Sequence, residues 1–135
     1  MFNKLTSTDV NKFISVHYSV LLLRIGAGLF IFTHGLPKLM KVINGDFGFA
    51  DPIGIGPELS LILAAFAEGI CGLFVTLGLW TRIASFILVI NMAVAVFFAH
   101  AGDPFSQKEK ALIFLLMFMV TLFTGGGKYS IDSKL

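Results

Sequence analysis

The chain has little charge and only one cysteine, and both shortages exclude classes of protein. Of its 135 residues, 13% are charged, against roughly a quarter in soluble domains, so the composition is that of a membrane protein. The single cysteine, Cys71, excludes an internal disulfide framework or a CxxC redox relay within one chain. The ten basic residues form no run, which argues against nucleic acid as a partner.

What the chain has instead is long apolar runs, with a mean hydropathy of +0.89. A helix that crosses a membrane needs about 20 mostly apolar residues. Four runs suit this role, at 18–36, 59–79, 83–99 and 111–124, the last with an added turn on its N-terminal side. We therefore predict an all-α polytopic membrane protein, a four-transmembrane-helix bundle with one longer loop (38–56) between helices 1 and 2. The apolar residues of that loop predict that it folds back over the bundle as a lid.

The predicted organisation is one transmembrane domain, 18–125, between two short ends. Residues 1–17 are predicted to be a polar or interfacial segment, and residues 126–135 a short C-terminal tail. The first apolar run lacks a small-residue cleavage site, so we interpret it as a retained helix. Five basic residues outside the runs lie on the side of the termini and four on the other. The positive-inside rule then favours a multi-pass protein of the cell membrane with cytoplasmic termini.

Polar side chains within the apolar runs are the candidates for a site. Glu68 stands near the middle of the second run, where a charge costs about 2.5–3.5 kcal/mol and needs a partner or a polar cavity. We count depths from the predicted cytoplasmic end of each run, at the helical rise of about 1.5 Å per residue. Arg24 then lies about 9 Å deep, Asn91 about 13 Å and Glu68 about 16 Å. We predict that Arg24 pairs with Glu68 and that both line an intramembrane site. Alternatively, the pair only joins two helices and fixes their register.

Two further sets of residues belong to this prediction. His34 and Lys38 share a helix face near the outer surface, and His100 ends the third run on the same side, so they are expected to contact the polar end of an entering ligand. Two histidines would also suit a haem or metal, but without a fixed spacing we predict no metal site. Small residues are predicted to let helix backbones pack closely: Gly26, Gly28, Gly35, Gly69 and Gly72.

Several short motifs follow one another along the chain. They are Arg24-Ile-Gly26, His34-Gly35-Leu-Pro-Lys38-Leu39, Glu68-Gly69-Ile-Cys-Gly72-Leu73, Leu77-Gly78-Leu79-Trp80-Thr81-Arg82 and Gly127-Lys128-Tyr129-Ser130-Ile131-Asp132. Together they resemble the signature of the DoxX family of small membrane proteins, over residues 18–132. The resemblance implies a four-helix integral membrane protein and a link to respiratory or thiosulfate–quinone oxidoreduction. A related branch of the family assists the assembly of other membrane proteins.

These observations support three hypotheses of function. The first is a membrane subunit of a redox system that binds a quinone or similar lipophilic ligand. In it Glu68 is the catalytic residue, which accepts or donates a proton, and the ligand is bound by Arg24, His34, Lys38, Glu68, Asn91 and His100. The second is a non-enzymatic scaffold or assembly factor for another membrane protein. The third, transport of a small solute, needs an oligomer because four short helices leave little room for alternating access. Expected partners are lipids, a quinone, and a membrane protein or a second copy.

Overall fold

The computed structural model describes residues 16–135. Four long helices make up most of this part: α1, Val16–Ile43; α2, Pro57–Leu77; α3, Thr81–Ala99; and α4, Phe105–Thr124. A short 3-10 helix, Asp132–Lys134, lies at the end of the chain. Within residues 16–135 there is no strand. Of the predicted interfacial segment 1–17, residues 1–15 lie outside the described residues.

Three of the four helices are long and apolar enough to cross a membrane, namely α1, α2 and α3. Helix α4 has 20 residues, but three charged residues in its first two turns shorten its apolar stretch: Lys108, Glu109 and Lys110. The prediction of an all-helical membrane protein is therefore confirmed. A fourth crossing by α4 stays a prediction.

Helices that follow one another in the chain run antiparallel. Each helix packs against two neighbours: α1 and α3 both contact α2 and α4. Ile31, Leu88 and Phe118 are fully buried between them. The hydroxyl oxygens of Ser85 on α3 and Thr121 on α4 lie 2.6 Å apart and share a hydrogen bond. Such interhelical hydrogen bonds matter in membrane bundles because apolar packing alone gains little over contact with lipid.

Helix α1 extends seven residues beyond the predicted end at residue 36, to Ile43. Pro37 lies inside the helix. Proline supplies no backbone N–H, but its φ is helical, and membrane helices tolerate it where neighbouring groups compensate. Lys38 therefore belongs to α1, and the connection between α1 and α2 is 44–56, which is shorter than predicted.

The backbones of α1 and α2 touch where glycines face the neighbouring helix. A Cβ added to Gly35 would meet the backbone of Glu68 and Gly69, and one added to Gly28 would meet Thr76. Because neither contact leaves room for a side chain, the two helices approach more closely here than larger residues would allow.

Three other predicted packing glycines differ in their surroundings. A Cβ on Gly69 would meet the side chain of Leu39, and a Cβ on Gly72 would meet Ile31. A Cβ on Gly26, in contrast, would have nothing within 4 Å. The predicted packing role of Gly26 is therefore wrong within this chain, because the residue lies on the outer side of α1.

Helix α2 changes to π-helical geometry over Phe66–Cys71. This segment contains Glu68 and Gly69, the residues that α1 contacts. Short π segments occur frequently at functional sites, because an extra residue in the turn shifts side chains out of the α-helical register. The geometry of α2 thus marks the level of Glu68 as a candidate site.

We predict that Gly35→Ala destabilises the protein by about 1–3 kcal/mol, because an added methyl group overpacks a contact between two backbones. The matched change Gly26→Ala has open space around it and is expected to be neutral or to stabilise α1 by up to about 1 kcal/mol, since alanine favours helix over glycine. Unfolding of both variants in detergent micelles measures the difference. Equal losses in the two variants would contradict the close contact at Gly35.

Candidate ligand-binding site

Glu68 is buried between α1 and α2, with 5% of its surface exposed. Its partner is Lys38, whose Nζ donates a hydrogen bond to Glu68 Oε2. Lys38 stands nearly one turn after Gly35, the residue that touches the backbone at Glu68. An isolated charge at this depth costs several kcal/mol, and the ion pair offsets that cost for both residues.

The predicted pair of Arg24 with Glu68 is wrong. Arg24 is 2% exposed, and it donates from Nη1 to the carbonyl of Gly126 and from Nη2 to the carbonyl of Tyr129, each at 3.0 Å. Gly35 lies level with Glu68, and Arg24 precedes it by eleven residues. Arg24 is therefore about 16 Å from that level along the helix axis.

The cause of this error is the level assigned to the start of α1. The depths were counted from the predicted cytoplasmic ends of the first two runs, residues 18 and 79, as if those ends lay at one level. Gly35 in fact contacts Gly69, and it lies 17 residues after residue 18, whereas Gly69 lies 10 residues before residue 79. The start of α1 therefore extends past the end of α2 by about 10 Å. Lys38, assigned to the loop by its position after Pro37, then occupies the place beside Glu68 that had been assigned to Arg24.

The predicted C-terminal tail is part of the tertiary structure. Besides its two carbonyl contacts with Arg24, it places Asp132 at the start of α3, where Oδ1 accepts the N–H of Trp80 at 2.7 Å and Oδ2 that of Thr81 at 2.9 Å. Asp132 thus caps the N-terminus of α3, although it lies about 50 residues later in the sequence. Burial alone would raise the pKa of Asp132, but the hydrogen bonds from Thr81 and Trp80 and the charge of Arg24 outweigh it and hold that pKa below its usual value.

A cavity of about 290 Å³ lies beside the Lys38–Glu68 pair, and we call it the α2–α3 cavity. Helices α2 and α3 form most of its walls, and the connection 44–56 contributes residues between Phe49 and Ile55. Part of the connection therefore lies against the helices, and its role as a lid stays a prediction. Four lining residues are polar, Lys38, Ser60, Glu68 and Asn91, and the remainder are apolar.

Asn91 and Lys38 both have hydrogen-bonding capacity to offer inside this cavity. Among residues 16–135, the Asn91 side chain has no hydrogen-bond partner. Lys38 carries three N–H donors and directs one to Glu68. Its Nζ also lies 5.9 Å from the centre of the Phe49 ring, within the range of a cation–π contact. The wall of the cavity thus presents donors and an amide oxygen to a ligand.

The structure separates the two predicted histidines from this cavity. His34 lies in a different groove, between α1 and α4, with its ring edge-on to Phe114 at a centroid distance of 6.0 Å. His100 Nδ1 lies 2.8 Å from Asp103 Oδ2 on an exposed turn. Within the described part of the chain, no three His, Cys, Asp or Glu side chains come together as a metal site would require. The structure therefore brings together Lys38, Glu68 and Asn91 of the predicted set.

Antiparallel apolar helices are typical of an integral membrane protein, and the ion pair and the cavity beside it make a candidate site between these helices. The model of the DoxX family matches residues 19–101, and the chain therefore belongs to the DoxX family. The matched region covers nearly all of α1 and the whole of α2 and α3, including every residue that lines the α2–α3 cavity.

Two relatives extend over most of the chain. An "Uncharacterized protein" of Haemophilus influenzae is 31% identical over 128 residues, which cover 87% of this chain and 90% of that protein. A Bacillus subtilis protein with the name "Putative oxidoreductase CatD" is 29% identical over 115 residues, covering 85% of this chain and 84% of that protein. No solved structure matches the chain.

The ion pair can be tested with a double-mutant cycle. We predict that Lys38→Met destabilises the protein by about 3 kcal/mol, because it leaves the Glu68 carboxylate buried and unpaired. Adding Glu68→Gln removes that charge, so the double variant is expected to lose less stability than the two single variants lose together. Arg24→Met combined with Glu68→Gln serves as the control and should be additive. Coupling of Glu68 to Arg24 instead of Lys38, measured by unfolding in detergent, would contradict the assigned pairs.

The cap on α3 predicts a dependence of stability on pH. Asp132→Asn should cost about 1 kcal/mol at neutral pH because a charged cap is lost. The wild-type advantage is fully present above the ordinary carboxyl pKa of about 3.9 and disappears as the pH falls through the lower pKa of folded Asp132. Unfolding midpoints of both proteins from neutral pH to about pH 2 measure this. Glu109→Gln, at an exposed carboxylate, is the control; a difference that stays constant with pH would contradict the role of Asp132.

Proposed function

We propose that the protein is a membrane subunit of a redox-associated system and that it binds a quinone or a similar lipophilic ligand in the α2–α3 cavity. The observation that carries this proposal is the placement of Lys38, Glu68 and Asn91 on the wall of an otherwise apolar cavity. A mostly apolar pocket with a few converging polar groups is the usual form of a small-molecule site. The name of the Bacillus subtilis relative also supports a redox association.

The residues of the cavity fit the polar end of such a ligand. A quinone carbonyl needs hydrogen-bond donors, which the Lys38 ammonium and the Asn91 amide supply. In this proposal Glu68 exchanges a proton with the bound ligand, because its carboxylate lies at the cavity wall within reach of the ligand's polar end. When bound, a quinone supplies the capacity to take up and release electrons and protons. Arg24 is not part of this site, since its hydrogen bonds go to the C-terminal segment.

The proposal places four helices across the cell membrane, with both termini in the cytoplasm. Helix α4 packs alongside α1 and α3, the two neighbours that are long and apolar enough to cross a membrane. Its charged first turns would then reach the membrane surface. The slight excess of basic residues on the side of the termini supports the orientation. Electrons would be exchanged with a partner protein in the same membrane.

A second candidate function is that of a scaffold or assembly factor for another membrane protein. The observation in its favour is the outer face of α1, where Gly26 has open space and the neighbouring Leu22 and Leu29 are 77% and 45% exposed. A small residue between larger apolar ones lets a second helix approach closely. On this alternative the partner is a membrane protein or a second copy, and the ion pair serves only to fix the bundle.

The proposal predicts that a short-tailed benzoquinone binds the purified protein and that Asn91→Leu weakens this binding about tenfold or more, since one hydrogen bond is worth about 1.4 kcal/mol. Glu68→Gln is expected to abolish quinone-dependent activity in membranes while the protein stays folded. Equilibrium binding in nanodiscs measures the first effect and an assay of quinone-dependent activity in membranes measures the second, with the unfolding temperature of each variant as a check.

His100→Asn is the control, because His100 lies outside the cavity on an exposed turn. Unchanged quinone affinity in Asn91→Leu, unchanged quinone-dependent activity in Glu68→Gln, or an equal loss of affinity in His100→Asn would contradict the proposed site. A co-purifying membrane protein whose binding is insensitive to these changes would favour the scaffold.

A further inference from the structure

We infer that the α2–α3 cavity exchanges its ligand with the lipid bilayer, through a gap between Leu63 and Ile90, while the connection 44–56 closes it to water. This inference names the route and the ligand class of the proposed site and rests on the proposed function only for the choice of ligand. It has three supports: the exposure of the wall, the fastening of the connection, and the size of the cavity.

Two half-exposed apolar side chains stand at the lipid side of the cavity. Leu63 on α2 and Ile90 on α3 both line the cavity, and they are 49% and 50% exposed. Both lie within helices that can cross a membrane, so their exposed halves face lipid. Parting two aliphatic side chains breaks no hydrogen bond, and lipid tails are as apolar as the leucine they replace. A lipophilic molecule therefore meets little resistance here.

The connection 44–56 lines another side of the cavity, and hydrogen bonds hold this connection in place. Asp51 Oδ1 accepts the N–H of Ile55 at 2.9 Å and the hydroxyl of Ser60 at 3.2 Å, and its Oδ2 accepts the N–H of Gly56 at 3.0 Å. Because Ser60 is in the first turn of α2, one carboxylate fastens the connection to that helix. At the other end, Lys41 Nζ donates to the carbonyl of Gly48 at 2.7 Å.

The fastened connection contributes four apolar residues to the cavity wall: Phe49, Pro52, Ile53 and Ile55. Ile53 and Ile55 are 44% and 39% exposed, so on this inference their inner faces cover the cavity and their outer faces lie at the surface. Phe49 also lies against the Lys38 ammonium that holds Glu68. Opening this side would therefore break hydrogen bonds and expose apolar surface to water, which are costs that the Leu63–Ile90 gap does not carry.

The size of the cavity limits what it encloses. A volume of about 290 Å³ corresponds to on the order of ten water-sized groups, at about 30 Å³ each. That is enough for a single ring with its substituents but not for a long tail as well. The ligand class is thus a membrane-dissolved molecule whose polar head meets Lys38, Glu68 and Asn91 and whose apolar tail remains between Leu63 and Ile90 in the lipid.

The route can be tested without any quinone by labelling a cysteine inside the cavity. Ala95→Cys, in a Cys71→Ala background, places one thiol on the cavity wall and leaves the three polar residues unchanged. The protein in lipid vesicles is treated with a membrane-permeant maleimide or with a sulfonated, water-soluble one. Because both reagents react with the same thiol, the ratio of their labelling rates does not depend on the reactivity of that thiol. Ala101→Cys, on an exposed turn, reports the rate for an open site.

We expect the permeant reagent to label Ala95→Cys several-fold faster than the sulfonated one, relative to their rates at Ala101→Cys. Leu63→Trp should slow labelling by the permeant reagent several-fold because it fills the gap. Ile62→Trp, on the neighbouring lipid-exposed position that does not line the cavity, should leave the rate unchanged.

The role of the connection is tested with the sulfonated reagent. Asp51→Asn should raise the rate of labelling by this reagent. Asp46→Asn, whose carboxylate accepts only from Gly48 within the connection, should not.

Three results would overturn the inference: equal relative rates of the two reagents at Ala95→Cys, no greater effect of Leu63→Trp than of Ile62→Trp, or no labelling by either reagent. Asp51→Asn behaving as Asp46→Asn does would overturn the role of the connection. A cavity that labels from the lipid but binds no benzoquinone would leave this inference standing and remove the quinone from the proposed function, so the two can fail separately.

Discussion

The buried ion pair between Lys38 and Glu68 is the interaction on which the rest of the structure depends. Neither charge is stable alone between apolar helices, so α1 and α2 must adopt a register that brings the two together. Gly35 allows the backbones to touch at that level. A slip of α1 by one turn, about 5.4 Å, would separate the charges and place a larger residue in the contact. The cavity lies beside this pair, with most of its wall formed by α2 and α3.

The two cations of α1 that pack inside the structure, Arg24 and Lys38, are stabilised in different ways, and the difference favours Lys38 as the residue that meets a ligand. Arg24 is 2% exposed, and it is enclosed by carbonyls of the C-terminal segment, with Asp132 supplying a nearby negative charge. The side chain of Lys38 is 25% exposed and its charge is met by one carboxylate. A charge that served only to join two helices would be enclosed as Arg24 is. The open side of Lys38, at the wall of a cavity, is therefore the stronger argument for a binding site.

The parts of this structure that sequence predicts are those set by local interactions. Apolar runs determine helices, so α2 and α3 were predicted to within two residues at each end, and their depth in these runs selected Glu68 and Asn91. The partner of Glu68 depends on the register of α1 against α2. The ends of two apolar runs do not give that register, because the first turns of α1 extend past the end of α2 and meet the C-terminal segment. The distance of His100 from the cavity could not be predicted for a related reason: sequence places a residue at a level of the bundle but not on a face. The fold of the C-terminal segment depends on contacts with Arg24, more than 100 residues away, and no local pattern encodes such contacts.

The neutrality of the ion pair decides among the kinds of ligand that the cavity suits. Two opposite charges in contact cancel at a distance, so the wall offers hydrogen-bond donors and acceptors without a net charge to attract an ion. An ion that entered from water would also lose its hydration, at a cost of several kcal/mol that nothing in the apolar wall repays. A neutral molecule with one polar end loses little on leaving the bilayer and gains hydrogen bonds to Lys38 and Asn91. The electrostatics of the site therefore favour binding of a lipophilic ligand over passage of a charged solute, and this argument does not depend on which redox partner the protein serves.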